Sequence, residues 1–239
     1  MIKFHHREFE LAVREAAVIF GRPIEERDLS SVERLDCSNF SFHSEDLEVL
    51  QRCRALKELS IVTRYEDLSF LSAFPMLECL YFEYGGPSID FRAFSCLSRL
   101  EDLYVSSGDY SSIPFLHTEG LISLKRLKSL VFHEFGTVDL LFLESMPWLE
   151  EFVCGWANRV TNISSIGKLT NLRRLVLIDL QMDDLAFLDN LPDSMELELD
   201  GYAEKNIDEE KLRRFKRTDV DLCIRPANGE RSWIRIESK

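Results

Sequence analysis

Apolar residues recur in one frame along almost the whole chain: a leucine-type residue, a second one three places on, and a third two places after that. The frame is filled by Val32-Leu35-Cys37, Leu56-Leu59-Ile61, Leu77-Leu80-Phe82, Leu100-Leu103-Val105, Leu127-Leu130-Phe132, Leu149-Phe152-Cys154 and Leu172-Leu175-Leu177. It continues in degraded form at Ser194-Leu197-Leu199 and around Leu222-Ile224. Residues at the fourth position of the frame follow one another at steps of 21 to 27. Alternation over the fourth, fifth and sixth positions predicts one short strand per copy, with the fourth and sixth side chains inward and the third, fifth and seventh outward.

Behind each strand a second pattern follows. Asp67-Leu-Ser-Phe-Leu71-Ser-Ala-Phe74-Pro75 is matched by Asp139 to Pro147 and by Asp184 to Pro192, with weaker copies from Asp46, Asp90, Asn162 and Asp208. Asp or Asn there is expected to cap a short helical turn that presents the residues at +4 and +7 inward and ends at proline. From six of these cap residues to the first position of the next copy the count is always ten, so length varies only where the chain leaves each strand. The largest excess is Ser106–His117, whose Ser-Ser-Gly-Asp-Tyr start reads as an exposed loop.

A twenty-odd-residue repeat with this LxxLxL core identifies a leucine-rich repeat: an α/β solenoid, or horseshoe, with a parallel concave sheet. Such arrays bury apolar surface only between neighbouring coils and need caps at both ends. Residues 7–20, with Phe9, Val13, Ala16 or Ala17 and Phe20 at helical spacing, predict an N-terminal helical cap. The stretch Phe9 to Cys37 resembles the cap and first repeat of bacterial internalin-like leucine-rich repeat proteins. Asp219–Pro226 and Arg231–Glu237 around Asn228-Gly229 predict a C-terminal β-hairpin cap, with Trp233 and Ile236 covering the last coil. The expected organisation is a cap over 1–31, repeats over 32–218 and a last strand with its cap over 219–239, as one continuous domain. The ninth position, where many such repeats carry a buried asparagine, holds Phe40, Arg64, Gly85, Gly108, Phe135, Ala157, Leu180 and Tyr202, so the turn there must be built differently.

Charge changes the picture of the surface. The net charge is −13, yet residues 204–239 hold ten Lys/Arg against eight Asp/Glu, a balance of +2 that leaves −15 on residues 1–203. Such acidity disfavours nucleic acid and anionic lipid and favours a basic partner. Six scattered cysteines without metal spacing, a polar start with no export signal, and no apolar run of about eighteen residues predict a reduced, cytoplasmic protein without disulfides, metal or membrane span.

Candidate chemistry lies on the outward strand face. Its fifth positions run Tyr81, Tyr104, Val131, Val153 and Val176, an apolar stripe beside Glu83, Tyr84, His133, Glu134 and Trp156, with Asp102 and Glu151 among the neighbouring acids. Contiguous exposed aromatic and apolar groups mark a binding surface. Tyr81, Glu83, Tyr84, Asp102, Tyr104, His133, Glu134, Glu151 and Trp156 are therefore the expected partner-binding residues of a monomeric, cofactor-free protein-interaction module. An inhibitor or neutraliser of a basic protein fits that pattern. A purely structural solenoid, or a hydrolase using His133 and nearby carboxylates, are the alternatives, and no catalytic motif supports the last.

Overall fold

Alternation in the sequence becomes alternation in burial. In the computed structural model, which describes residues 2–42, 44–108, 112–157, 159–182, 185–203, 209–224 and 231–237, every described strand of the repeat turns its fourth and sixth residues inward. The chain divides into two compact units, residues 1–105 with 116–127 and residues 106–115 with 128–239.

The first unit starts with α1 (Arg7–Ala16) and α2 (Glu26–Leu29). It continues through β1 (Arg34–Ser41), α3 (Ser44–Leu50), β2 (Glu58–Thr63), β3 (Cys79–Tyr84), β4 (Asp102–Ser106) and the one-turn helix α4 (Glu119–Ile122). Strands β1, β2 and β3 pair in parallel, with Leu35 opposite Leu59 and Leu59 opposite Leu80. Identical repeat positions thus stack directly, and Leu35, Leu59 and Leu80 make one continuous inward row. Glycine is required at Gly120, where a Cβ would lie 1.9 Å from the Phe91 carbonyl oxygen.

The N-terminal cap forms, with one correction. Phe9 and Val13 of α1 are fully buried, and the Phe9 ring meets Phe42 edge-on at 4.9 Å. The helix stops at Ala16, however, and Val18 adopts a left-handed backbone (φ 53°). That turn re-aims the chain, so Ile19 is buried in place of the expected Phe20, which is 82% exposed. Asp46 departs from its expected role too. It does not cap a turn; fully buried, its carboxylate accepts from the backbone N–H of His5 at 2.8 Å and of His6 at 3.1 Å, tying the first residues to a chain position about forty residues on. Asp67, Asp90 and Asp139 do cap their turns, accepting from the N–H two residues on at 2.9, 3.0 and 3.0 Å. Leu71, Phe74, Leu143 and Met146 at the +4 and +7 places are fully buried. Asn162 instead takes a left-handed backbone and donates to Asp139 at 2.8 Å, while Asp184 and Asp208 lie outside the described residues.

The second unit contains β5 (Ser129–His133), β6 (Glu151–Gly155), β7 (Arg174–Met182), β8 (Glu196–Ala203), α5 (Glu209–Arg213), β9 (Arg217–Ile224) and β10 (Ser232–Ile236). Strands β5 to β9 pair in parallel in that order, and β10 closes the series antiparallel to β9. Register corrects the frame of the last repeat. Leu197 pairs with Thr218, so the fourth position is Thr218 rather than Leu222, and the fifth is Asp219 rather than Cys223. A polar residue is tolerated in that inward row because the Thr218 hydroxyl donates to the Leu212 carbonyl at 2.9 Å. The hairpin forms, but Ile234 and Ile236 are its buried residues and Trp233 is 56% exposed, since Trp233 and Ile236 fall on opposite faces of one strand. The loop at Asn228-Gly229 lies outside the described residues.

Cysteines behave as small core hydrophobes. Cys37, Cys53 and Cys154 are buried, and burial pushes the thiols of Cys53 and Cys154 up to about 12.

Asp28 is the most polar element of the N-terminal cap. The Arg22 guanidinium holds it by two hydrogen bonds of 2.7 Å, the Glu25 N–H donates to it at 2.8 Å, and together they keep its carboxyl well below the usual carboxylate range. A carboxyl depressed in the folded state adds stability above its unfolded pKa of about 3.9 and loses it as pH falls toward the folded value. Asp28→Asn should therefore lower the denaturation midpoint at pH 7, and the gap to the wild-type protein should close below about pH 4. A gap that stays constant down to pH 2 would show that the charge on Asp28 contributes nothing.

Candidate functional site

On the outward face of the first unit, Tyr81 and Tyr104 occupy the fifth position of adjacent strands, their rings 5.8 Å apart at 37°. Tyr81 is 52% exposed, Tyr104 is half-buried, and Glu83 and Asp102 stand exposed on the same face. The surface runs on from Tyr81 into a groove of about 420 Å³ between α1 and the strands, edged by Glu15, Arg34, Asp36 and Glu58. Glu58 is countered by Arg34 at 3.1 Å, and Glu83 and Asp102 lie on the same face as the tyrosines. Cys79 is partly buried, and burial first, then the Asp102 charge, holds its thiol above the usual range. A thiol held up in this way is a poor nucleophile.

Tyr84 does not belong to this surface. Strand β3 stays extended through the eighth position, so alternation carries Tyr84 inward behind Leu80 and Phe82. The residue is fully buried, its ring stacks on Phe82 at 5.6 Å, and its hydroxyl has no hydrogen-bond partner among the described residues. Gly86 fits against it; a Cβ there would sit 2.3 Å from the hydroxyl oxygen.

The second unit treats the eighth position differently. Glu134, Trp156, Asp179 and Gly201, all at that position of consecutive repeats, have φ of 62°, 52°, 53° and 139°. The first three are non-glycine residues in the left-handed region, where each costs on the order of 1 kcal/mol or more. Two of these turns are hydrogen-bonded along the stack: the Glu134 N–H reaches the Gly155 carbonyl at 3.1 Å and the Trp156 N–H the Ile178 carbonyl at 2.8 Å. A row of left-handed residues thus replaces the missing ninth-position asparagines. The turn throws its side chain out instead of in, and Trp156 is 37% exposed for that reason.

Trp156 and His133 form the centre of this face. Their rings meet edge-on at 4.8 Å, and His133 lies over Gly155, where an added Cβ would sit 3.4 Å from the imidazole. Burial lowers the His133 pKa, opposed by the neighbouring Glu134 charge, so the ring is neutral at pH 7. Glu134 is fixed by the long loop: the Ser106 hydroxyl donates to its carboxylate at 3.1 Å, Ser107 donates to its carbonyl, and the Gly108 N–H donates to Ser106 at 3.0 Å. Asp109 to Ser111 of that loop lie outside the described residues. The stripe is shorter than its sequence suggests. Val131 is half-buried, but Val153 and Val176 are 7% and 3% exposed, because short side chains in mid-sheet are overtopped by longer neighbours. Glu151 is half-buried and countered by Arg174, and Ser129 donates to it at 2.9 Å. Arg174 reaches Glu198 as well, at 3.6 Å, so one guanidinium is shared by two carboxylates and the trio keeps a net negative charge.

Of the expected residues, Tyr81, Glu83, Asp102 and Tyr104 share the outward face of the first unit, and His133, Glu134, Glu151 and Trp156 that of the second. Ser106 and Ser107 are buried anchors of the site that alternation did not reveal. Among the described residues no cluster of His, Cys, Asp or Glu fits a metal ion, and no helix is long and apolar enough to cross a membrane.

No protein-family model matches the sequence, and no curated protein matches it. Solved structures share its fold. Internalin C2 from Listeria monocytogenes is 18% identical with a TM-score of 0.64, over 86% of this chain and 88% of that one. An internalin of the same organism, inlF, is 19% identical with a TM-score of 0.65, over 91% of this chain and 62% of its own length. A plant peptide hormone receptor, RGFR1 in complex with RGF2, is 16% identical with a TM-score of 0.56, over 83% of this chain and 34% of the receptor. The fold is that of an internalin-like leucine-rich repeat protein.

Two variants test these placements. Tyr84→Phe removes an unpartnered buried hydroxyl and should leave the urea midpoint unchanged or raise stability by up to about 1 kcal/mol, whereas a loss of that size would reveal a partner for the hydroxyl. Trp156→Gly should leave the thermal midpoint level or higher, because relief of a left-handed tryptophan offsets the lost contact with His133. A clear fall in the midpoint would make Trp156 a packing residue.

Proposed function

We propose that the protein is a non-enzymatic interaction module that binds a basic protein partner through the aromatic and acidic outward faces of its strands. The observation that carries the reading is Trp156. A large indole on a left-handed backbone, half in water and braced by His133, serves packing poorly and serves as a binding anchor well. Tyr81 and Tyr104 offer the same chemistry in the first unit, with Glu83 and Asp102 beside them to attract cationic side chains. Burial keeps the Cys79 thiol above its usual range, which weighs against thiol chemistry on this face. A protein of the same fold is the plant receptor solved in complex with RGF2, which is consistent with use of this fold as a recognition surface. Inhibition or neutralisation of a cationic protein, in the cytoplasm, is the biological setting that agrees with the net charge of −13.

Capture of the partner from source cells at low salt, followed by kinetics on the purified pair, tests the reading. Trp156→Gly and Tyr104→Ala should each weaken binding at least about tenfold, the range expected for aromatic anchors. Glu83→Lys with Asp102→Lys should slow association, and association should slow with salt, because screening acts beyond about 8 Å at physiological ionic strength. Binding that ignores both aromatics would overturn the site. An association rate indifferent to salt would reduce the acidity to a solubility device on a scaffold.

A further inference from the structure

Strand β10 ends the strand order of the second unit, and among the described residues no element pairs with its outer edge. Ser232–Ile236 contains no proline and pairs with β9 without a bulge, so two of the devices that blunt a sheet edge are missing from it. An unpaired row of backbone N–H and C=O groups recruits another strand.

We infer that this edge pairs with the same edge of a second copy of the chain, antiparallel and centred on Ile234. The strand is complementary to itself in that register and not in either of the two nearest ones. Centred on Ile234, Trp233 of one copy lies opposite Arg235 of the other, and Arg231 opposite Glu237, each pair occurring twice. Directly opposed side chains stand about 5 Å apart, within reach of cation–π and ion-pair contact. Within one chain the Arg235 guanidinium already lies 5.1 Å over the Trp233 ring, and both side chains are exposed on one face. A slip that centres the pairing on Arg235 sets Arg235 against itself. A slip to Trp233 sets Arg231 against Arg235. Both are penalised by like charge.

Charge also selects this end of the molecule. Two copies that each carry −15 on residues 1–203 repel through most of their surface, whereas residues 204–239 carry +2 and can approach. The buried Ile234 and Ile236 keep the strand pinned to its own chain while the opposite side chains meet. The inference is independent of the partner-binding reading and replaces the monomer expected from the sequence with a weak dimer. One strand pair is a contact at the small end of specific interfaces, so the dissociation constant should be micromolar, on the order of 10 to 100 μM.

Sedimentation equilibrium of the full chain up to about 500 μM tests it, a range that brackets the affinity expected of so small an interface. The chain should dimerise reversibly. Arg231→Glu and Glu237→Arg should each raise the dissociation constant at least about tenfold, because two opposed pairs per dimer become repulsive. The double variant, with the charges exchanged, should return it to within about threefold of the original value. Both positions are exposed, so the thermal midpoints should stay level, and the readout is association alone. A chain that remains monomeric throughout, a dimer indifferent to the single exchanges, or a double exchange without rescue would each overturn the inference.

Discussion

Every coil of this protein depends on the coil beside it for a place to bury its inward residues. The fourth and sixth side chains of one strand lie against the same positions of the next, so the interior is a set of rows such as Leu35, Leu59 and Leu80 in one unit and Leu130, Phe152, Leu175 and Leu197 in the other. Most other features of the fold answer two needs created by that arrangement, which are to close the ends and to return each strand to register. At the N-terminus the closure is partly polar. Phe9 and Val13 supply the apolar lid, Asp46 holds its start to the chain beneath, and the Arg22–Asp28 pair braces the cap internally.

The turn out of each strand shows how one fold solves the same problem twice. In the first unit β3 continues the extended alternation and turns its eighth residue, Tyr84, inward as another core ring. In the second, four successive eighth residues swing to positive φ, and the three that are not glycine turn their side chains out. The difference decides which aromatics meet solvent. Tyr84 and Trp156 hold the same place in the repeat, and one is core while the other is surface.

The architecture was legible in the residues because core burial imposes a period, and a period survives many substitutions. Strands, inward rows, the capped turns after Asp67, Asp90 and Asp139 and the terminal hairpin all follow from it. What was not legible depends on dihedral angles and on contacts distant in the chain. Val18 bends the cap and exchanges Phe20 for Ile19, an event with no apolar signature. Thr218 takes a leucine's place because a carbonyl from Leu212 is within reach, whereas the better-looking Leu222 made a false frame. Of the candidate site, the outward residues Tyr81, Tyr104 and His133 were readable from alternation, but the left-handed turn that exposes Trp156, the burial of Val153 and Val176 and the grip of Ser106 and Ser107 on Glu134 were not. A trace of the left-handed row was present in the sequence, since Asp179 and Gly201 are residues that tolerate it.

The spacing of ten residues from six of the cap positions to the next coil makes this molecule tolerant in one place and strict in another. An insertion between a strand's exit and the following Asp changes a rim and leaves every inward row in phase. The same insertion after the Asp would put a whole coil out of step with its neighbours. Variation can therefore accumulate along a single border of the protein while its interior stands still, and new contact surface can be tried there without rebuilding the body that presents it.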